Sequence, residues 1–518
     1  MDLYPEEALR TINPVKVIRR GRQCLLSVEE PTKFEDANTE ECWRRAMDEE
    51  LGSIRDNKVW VLADLPNGHK SIGLKWVYKV KKDAEGNLVK HKARLVAKGF
   101  VQEQGVDFEE VFAPVTRMES VRLVIALAAQ ESWRLHHMDV KSAFLNGELE
   151  EEVYVKQPPG YIKEGEEHKV LKLHKALYGL HQAPRAWNIK LDRTLISLGF
   201  EKSPLEHAMY KRGKGKDHLL VGIYVDDLLI TGADEEEIAR FELQMKELFK
   251  MSDLGLLTYY LGIEVQQKPN GITICQEAYA KKILESCSME DCKPTYAPME
   301  PRLKLSKRSE APAVDATDYR SVVGSLRYLV NTRPDLAYSV GIVSRFMEAP
   351  TTEHWAAVKH ILRYIKGTTN FGCVYLRGKK KEMVELLGYS DSDLAGDVDD
   401  RKSTSGLVYF LGRSIVTWLS QKQKVVALSS CEAEYIAAAT AAGQGVWLER
   451  LLGDLTDKEP ERVVLNVDNK SAIALCKNPV HHDRSKHIDI RYHYIRQCVE
   501  EGKLKSTMFA PTTSLQIS

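Results

Sequence analysis

Two adjacent carboxylates, Asp226 and Asp227, interrupt an otherwise apolar stretch that runs from Leu219 to Ile230. Leu219 to Tyr224 and Leu228 to Ile230 read as strands, which leaves the acids at a tight hairpin tip. Two unpaired charges in a buried strand cost about several kcal/mol each, so something at the tip must compensate them. A solvated turn is the ordinary reading of an Asp-Asp pair. This tip is short and flanked by apolar residues, a setting that favours a divalent cation. A third acid must then come from elsewhere, and Asp139 follows the strand-like run Trp133 to Met138. Beyond it, Val140-Lys141-Ser142-Ala143-Phe144-Leu145 supplies the small and apolar residues of a nucleotide pocket. Oxygen ligands alone select magnesium or manganese over zinc. Two such ions about 3.5 to 4 Å apart serve an attacking 3′-hydroxyl and a departing pyrophosphate, which is nucleotidyl transfer.

A chain of 518 residues is too long for one ordinary core, so two to four domains are expected, at roughly 150 residues each. Lys plus Arg and Asp plus Glu are both 74, and this balance hides a strongly uneven distribution. Lys70 to Phe100 holds nine basic residues against two acids, and His354 to Lys381 holds seven and no acid. Both are candidate tracks for a polyanion. The acidic start and the lack of a long apolar run argue against secretion and against a membrane span. Nine dispersed cysteines without a C-x-x-C pair suggest buried free thiols rather than disulfides or zinc.

The apolar spacing predicts a helix from Phe34 to Ile54 and a basic hairpin of Trp76 to Val80 and Leu88 to Val96 around Glu85-Gly86-Asn87. Thr116 with Glu119 predicts a capping box for a helix built on Val121, Val124, Ile125 and Ala128. A further helix is expected from Asp234. Lys293 to Pro312 contains Pro294, Pro298, Pro301 and Pro312 and reads as a linker.

A second set of acids lies beyond that linker. Asp391 follows the largely apolar run Met383 to Tyr389, Glu434 lies in a predicted helix after Ser429-Ser430, Asp468 ends the strand Val463 to Val467, and Asp489 opens the last helix. Only tertiary folding can bring them together. Glu432 is expected to face solvent, and Asp393, Asp397, Asp399 and Asp400 to form a solvated acidic loop. His481, His482 and His487 lack a cysteine at zinc-finger spacing.

Tyr224-Val225-Asp226-Asp227 resembles the reverse transcriptase signature, and Asp139-Val140-Lys141-Ser142-Ala143-Phe144-Leu145-Asn146-Gly147 is similar to the first catalytic motif of copia-type LTR retrotransposons. The resemblance continues in order through Lys92-Ala93-Arg94-Leu95-Val96-Ala97-Lys98-Gly99, Phe112-Ala113-Pro114-Val115, Gln157-Pro158-Pro159-Gly160-Tyr161 and Leu177-Tyr178-Gly179-Leu180. Gly388-Tyr389-Ser390-Asp391, Cys431-Glu432-Ala433-Glu434-Tyr435, Val467-Asp468-Asn469 and Lys486-His487-Ile488-Asp489 resemble the family's ribonuclease H portion. Leu394 and His181 depart from the usual residues.

The resemblance implies an α+β polymerase right hand of fingers, palm and thumb, followed by an α/β ribonuclease H-like mixed-sheet domain. The expected division is a poorly ordered lead over 1–32, the polymerase over 33–292, a linker and basic connection over 293–382, and a C-terminally truncated ribonuclease H-like domain over 383–518, lacking the family's further strand. The implied activities are RNA-directed DNA synthesis and cleavage of RNA in an RNA-DNA hybrid, with two Mg2+ or Mn2+ ions per site. Asp139, Asp226 and Asp227 would hold one pair of ions, and Asp391, Glu434, Asp468 and Asp489 the other. Lys79 and Arg94 match finger residues that grip the triphosphate, Phe144 the ring that screens the sugar 2′ position, and Tyr178 and Gly179 the lining of the pocket. Leu261-Gly262-Ile263-Glu264-Val265 resembles the hairpin that holds the primer end. The partners implied are an RNA template, a DNA primer, the hybrid and deoxynucleoside triphosphates, inside the cell in a cytoplasmic particle or the nucleus. The family's capsid, protease and integrase parts have no counterpart in this sequence.

Overall fold

The computed structural model describes residues 30–82, 88–378, 385–458, 462–477 and 490–508. The lead before Glu30, the turn Glu85-Gly86-Asn87, His481, His482, His487, Asp489 and the tail after Met508 lie outside the described residues. In the N-terminal lobe the single expected helix is two, α1 (Phe34–Thr39) and α2 (Glu41–Asp56), because Glu40 is extended, with φ −105° and ψ 125°. Strand β1 (Trp60–Ala63) follows, then the hairpin β2 (Leu74–Lys82) and β3 (Leu88–Ala97), in register Trp76 to Leu95 and Lys79 to Lys92. Trp43, Met47 and Ile54 of α2 share one core with Trp76, Tyr78 and Leu95, so the period-2 alternation of the hairpin sends its basic residues away from α2's apolar face.

The central lobe contains α3 (Met118–Glu131), β4 (Leu135–Val140), β5 (Glu148–Val155), β6 (Val170–Lys175), α4 (Ala183–Ser197), β7 (Glu201–Lys202), β8 (Met209–Arg212), β9 (Leu219–Tyr224), β10 (Asp227–Gly232), α5 (Glu235–Leu248) and β11 (Met251–Leu256). An antiparallel sheet runs β11-β4-β10-β9-β8-β7, and β1-β6-β5 form a smaller one. The helix expected from Asp234 forms as α5, and Asp234 is its N-cap, the carboxylate accepting the Glu236 N–H. The capping box expected at Thr116 does not form. Arg117 is the N-cap of α3, and the Thr116 hydroxyl donates to the Ile223 carbonyl at 2.6 Å, a sheet partner more than a hundred residues away. In α3 every residue from Ser120 to Ala129 is buried, so the expected single apolar stripe is replaced by cover on all sides.

Next come β12 (Tyr259–Tyr260), β13 (Ile263–Lys268), β14 (Gly271–Cys275), α6 (Glu277–Ser286), α7 (Ala316–Leu329), α8 (Ala337–Val343), α9 (Thr352–Gly367) and β15 (Gly372–Leu376). The sheet order is β12-β13-β14-β15, and α6 to α9 share one core built on Ile283, Tyr319, Leu326, Val358 and Ile361. The boundary expected between 292 and 293 therefore falls between helices of a single packed unit. The proline-rich stretch lies along α9: Arg363 donates to the Lys293 carbonyl at 2.8 Å, and a ring nitrogen of His360 bonds the Ala297 carbonyl at 3.0 Å.

The C-terminal sheet comprises β16 (Leu386–Ser392), β17 (Thr404–Leu411), β18 (Ser414–Lys422), β19 (Val463–Val467) and β20 (Leu504–Met508), in the order β18-β17-β16-β19-β20. Helices α10 (Ser430–Thr456), α11 (Lys470–Lys477) and α12 (Tyr494–Glu500) pack against it. Strand β20 corrects the expectation of a missing final strand. Leu504 and Ser506 alternate inward and β20 pairs parallel to β19, a pattern too short and polar to stand out in the sequence. The acidic loop is not simply solvated either. Asp397 is buried between Arg345 at 3.2 Å and Lys422 at 2.7 Å, while Asp399 accepts the Lys307 N–H at 2.7 Å. Burial alone would raise the Asp397 carboxyl, but Lys422 and the Asp399 amide hold it down to about 2.

Arg122 joins the lobes. It is 2% exposed, donates to the Val416 carbonyl of β18 at 2.8 Å and to the Asn331 carbonyl at 2.9 Å, and lies 4.0 Å from the centroid of the Trp418 ring. Helix α3 and the C-terminal sheet share one hydrophobic core around it. Cys275, Cys373, Cys476 and Cys498 are buried free thiols, as the composition suggested, whereas Cys42, Cys287, Cys292 and Cys431 are free but only half-buried. Among the described residues no helix is long and apolar enough to cross a membrane.

Candidate functional sites

The pairing of Tyr224 with Asp227 leaves Val225 and Asp226 as the two residues of the β9–β10 turn. Val225 has a φ of 57°, a left-handed conformation that a β-branched residue adopts only when its surroundings impose it. Two hydrogen bonds do so. The fully buried Trp187 of α4 donates Nε1–H to the Val225 carbonyl at 2.7 Å, and the Val140 N–H donates to the Asp226 carbonyl at 2.9 Å. The Asp139 expected at a strand end is the penultimate residue of β4, directly opposite Asp227. The Asp226 carboxyl is pushed up by burial and then by the Asp227 and Asp139 charges, with Arg94 acting the other way. Asp227 is bound differently, its Oδ1 accepting from His137 Nε2 at 2.8 Å.

Arg94, Tyr178 and Phe144 form a continuous wall beside this tip. The Arg94 guanidinium lies 4.5 Å from the centroid of the Tyr178 ring, and the Tyr178 and Phe144 rings are 5.0 Å apart. Gly179, with φ 89°, lets the Tyr178 loop touch β3: the Ala97 N–H donates to the Tyr178 carbonyl at 2.7 Å, and a Cβ on Gly179 would sit 2.3 Å from the Ala97 oxygen. Lys79 is not part of this wall. Its ammonium pairs with Glu30 at 2.7 Å, and Glu30 also accepts the Val80 N–H. Sequence reasoning passed over Lys92, two residues from Arg94 and therefore on the same face of β3. Its ammonium is lowered by burial and then by Arg94, with Glu50 and Asp139 pulling the other way. The period-2 spacing from Arg94 was the signal that could have found it.

In the C-terminal domain, Asp391, Glu434 and Asp468 bring one carboxylate oxygen each within 4.8 Å of one another, the one such acidic group among the described residues. Parallel pairing of Ser390 with Val467 sets Asp391 and Asp468 side by side, and the first turns of α10 deliver Glu434. Glu434 Oε1 accepts the Ser392 N–H at 3.0 Å, while its buried Oε2 has no hydrogen-bond partner. Burial, then Asp468 and Asp391, push the Glu434 carboxyl up to about 8, and burial followed by Asp391 raises Asp468. Carboxylates this crowded, with a buried oxygen left unsatisfied, are a donor set for a hard cation. Glu432 is not solvent-facing: it is buried and its Oε2 accepts the Leu428 N–H at 2.9 Å, closing the start of α10.

Residues 57–301 match the family described as reverse transcriptase (RNA-dependent DNA polymerase). The chain is 43% identical over 471 residues to the "Retrovirus-related Pol polyprotein from transposon TNT 1-94" of Nicotiana tabacum, covering 89% of this chain and 35% of that one. It is 35% identical over 304 residues to a putative transposon Ty5-1 protein of Saccharomyces cerevisiae, covering 58% of this chain and 98% of the relative. The chain thus spans about a third of the length of the plant Pol polyproteins it matches. Among solved structures, one described as the foamy viral protease-reverse transcriptase dRH in complex with ds DNA aligns with a TM-score of 0.51 at 11% identity, over 91% of this chain and 70% of that chain. The fold is that of an α+β polymerase hand followed by a ribonuclease H-like mixed-sheet domain.

Proposed function

Because this chain belongs to the reverse transcriptase family of copia-type retrotransposon Pol polyproteins, we propose that it copies RNA into DNA and cuts the RNA strand of an RNA-DNA hybrid at a separate centre. Geometry supports this reading: the pairing of β4 with β10 sets Asp139 opposite Asp227 at the tip that carries Asp226, and on a different sheet Asp391, Glu434 and Asp468 converge around a buried Glu434 oxygen that has no hydrogen-bond partner.

Asp139 and Asp226 are the residues to hold divalent ions in the polymerase lobe, and Asp391, Glu434 and Asp468 those in the ribonuclease H-like domain, with Asp489 as a fourth ligand by resemblance. Oxygen donors of this kind suit Mg2+ or Mn2+, which when bound steady developing negative charge on a phosphate and sharpen an oxygen nucleophile. The chain's own residues do the rest. Trp187 and Val140 pin the turn, so Asp226 meets a substrate without rearranging. Arg94 and Lys92 supply positive charge on one face for a triphosphate, and Tyr178 holds the Arg94 plane. Phe144 presents its ring where a ribose 2′-hydroxyl would collide. Lys79 enters this role only if its Glu30 pair opens.

In domain terms the reading assigns 33–292 to fingers, palm and thumb, 293–382 to the connection and the residues from 383 onward to the ribonuclease H-like part, with α6 belonging to the connection by packing. The template is RNA, the primer DNA, and the substrates deoxynucleoside triphosphates. Primer extension on a homopolymer RNA and cleavage of a labelled hybrid test it together. Asp226→Asn is expected to lower extension about a hundred- to a thousandfold and to spare cleavage, and Asp391→Asn to do the reverse. A folded variant that lost both activities would remove the two-centre assignment.

A further inference from the structure

Asp227 differs from the other acids at the polymerase tip in being already occupied. Its Oδ1 lies 2.8 Å from Nε2 of His137, a residue of β4 that is 8% exposed. A carboxylate only accepts, so Nε2 carries the proton and donates. The pairing Leu229 to His137, next to Asp227 to Asp139, places His137, Asp139 and Asp227 on one face of the sheet. His137 also faces a second element. Its ring meets the edge of the Tyr260 ring, with centroids 5.8 Å apart and planes at 79°. Tyr260 is 2% exposed, and its buried hydroxyl has no hydrogen-bond partner, so the ring stands there for its contacts rather than for its polar end.

Tyr260 is the last residue of β12 and pairs with Ile263, which makes Leu261 and Gly262 a two-residue turn with φ values of 50° and 76°. This turn is fixed from its far side by Tyr328 of α7, whose hydroxyl donates to the Leu261 carbonyl. A continuous path thus runs from the catalytic tip through Asp227, His137 and Tyr260 to a turn anchored on the helical connection. Asp139 and Asp226 have no comparable tether from their side chains to another lobe among the described contacts.

We propose that His137 is a positioning residue that fixes Asp227 and the Leu261–Gly262 turn to each other, so that a primer 3′ end resting on that turn is held in register with Asp139 and Asp226. The proposal rests on the polymerase reading above. In it one oxygen of Asp227 anchors the tip, and its other oxygen is left for the ions. The alternative, that His137 merely fills the sheet, makes no demand on where a primer ends.

The test uses the full chain with a primed RNA template carrying 2-aminopurine at the primer 3′ end. Fluorescence is read without divalent metal, and single-nucleotide extension is read with magnesium. In His137→Ala the primer-end signal is expected to fall to that of free primer–template while overall binding holds. Extension is expected to drop about tenfold or more in kcat, the scale of a displacement well under 1 Å. His137→Gln, whose amide can donate to Asp227, is expected to recover most of both. Tyr260→Leu, which keeps an apolar side chain, is expected to lose the primer-end signal too, and the double variant with His137→Ala to be no worse than either alone. Unchanged primer-end fluorescence in a folded His137→Ala, or additive losses in the double variant, would overturn the proposal. If His137→Ala fails to fold, Tyr260→Leu and His137→Gln decide it by the same two readouts. Failure of the unaltered chain to extend any primer would instead count against the polymerase reading.

Discussion

Glu434 of α10 accepts the backbone N–H of Ser392 at the end of β16 through one oxygen and buries the other without a partner. Burial and the neighbouring Asp468 and Asp391 raise its carboxyl from 4.5 to about 8, so folding takes up a proton there. In the metal-free chain the associated stability is fully present below pH 4.5 and is lost as the pH rises through about 8. Glu434→Gln should remove this dependence and stabilise the chain in EDTA at pH 8 by on the order of 1–3 kcal/mol. Melting curves at pH 5 and pH 8 with and without magnesium check it. Added metal should stabilise the unaltered chain and have little effect on the variant.

Phe144 packs on Tyr178, with ring centroids 5.0 Å apart. If Phe144 screens the sugar 2′ position as proposed, Phe144→Val should let a ribonucleotide compete and raise ribo- over deoxynucleotide incorporation by about 10- to 100-fold, since a clash would be removed rather than a hydrogen bond lost. Ratios of kcat/KM for matched rNTP and dNTP measure it. Stability should fall only by the lost packing.

Lys359 and Lys366 are exposed on α9, whereas Arg363 is spent on the Lys293 carbonyl. Charge reversal at Lys359 and Lys366 should therefore flatten the salt dependence of primer–template binding by roughly one to two counterions without changing sequence preference. Arg363→Glu should instead loosen the proline-rich stretch and lower the melting temperature. Binding titrations across a salt series, with melting curves beside them, separate the two effects.

Arg122→Leu removes the hydrogen bonds to the buried Val416 and half-buried Asn331 carbonyls, the stacking on Trp418 and the Glu119 ion pair. A loss of about 2–4 kcal/mol in urea unfolding is expected, with the ribonuclease H-like domain and the polymerase lobe destabilised together. Separate transitions in the variant would show that the lobes had come apart.

The hairpin that carries Asp226 and Asp227 was legible because apolar runs and a charged pair conflict so strongly that few arrangements satisfy both. The basic hairpin and the helix starting at Asp234 were legible for a similar reason, each being decided within a short stretch of chain. Thr116 misled because a local cap and a distant sheet carbonyl compete for one hydroxyl, and the sheet won. Asp397 misled because Arg345 and Lys422, which neutralise it, arrive from other elements. Arg122 gave no local sign at all: its carbonyl partners lie 209 and 294 positions away, and a lone arginine in an apolar helix looks like a solvated one. Asp227 was placed among the acids by its motif, but its bond to His137 depends on the pairing of β4 with β10, which spacing alone does not give.

Helix α3 belongs by sequence to the segment that matches the polymerase family, yet its buried span from Ser120 to Ala129 is roofed by β15 and by β17 and β18 of the C-terminal sheet. A protease cut or a recombinant fragment ending near residue 301, where that family match stops, would strip the roof away and lay open to water a greasy helix whose Arg122 keeps only its Glu119 pair. Such a fragment would be sticky before it was inactive. Exposed apolar surface, a matter of colloidal behaviour, is thus reason enough for the two lobes to stay on one polypeptide.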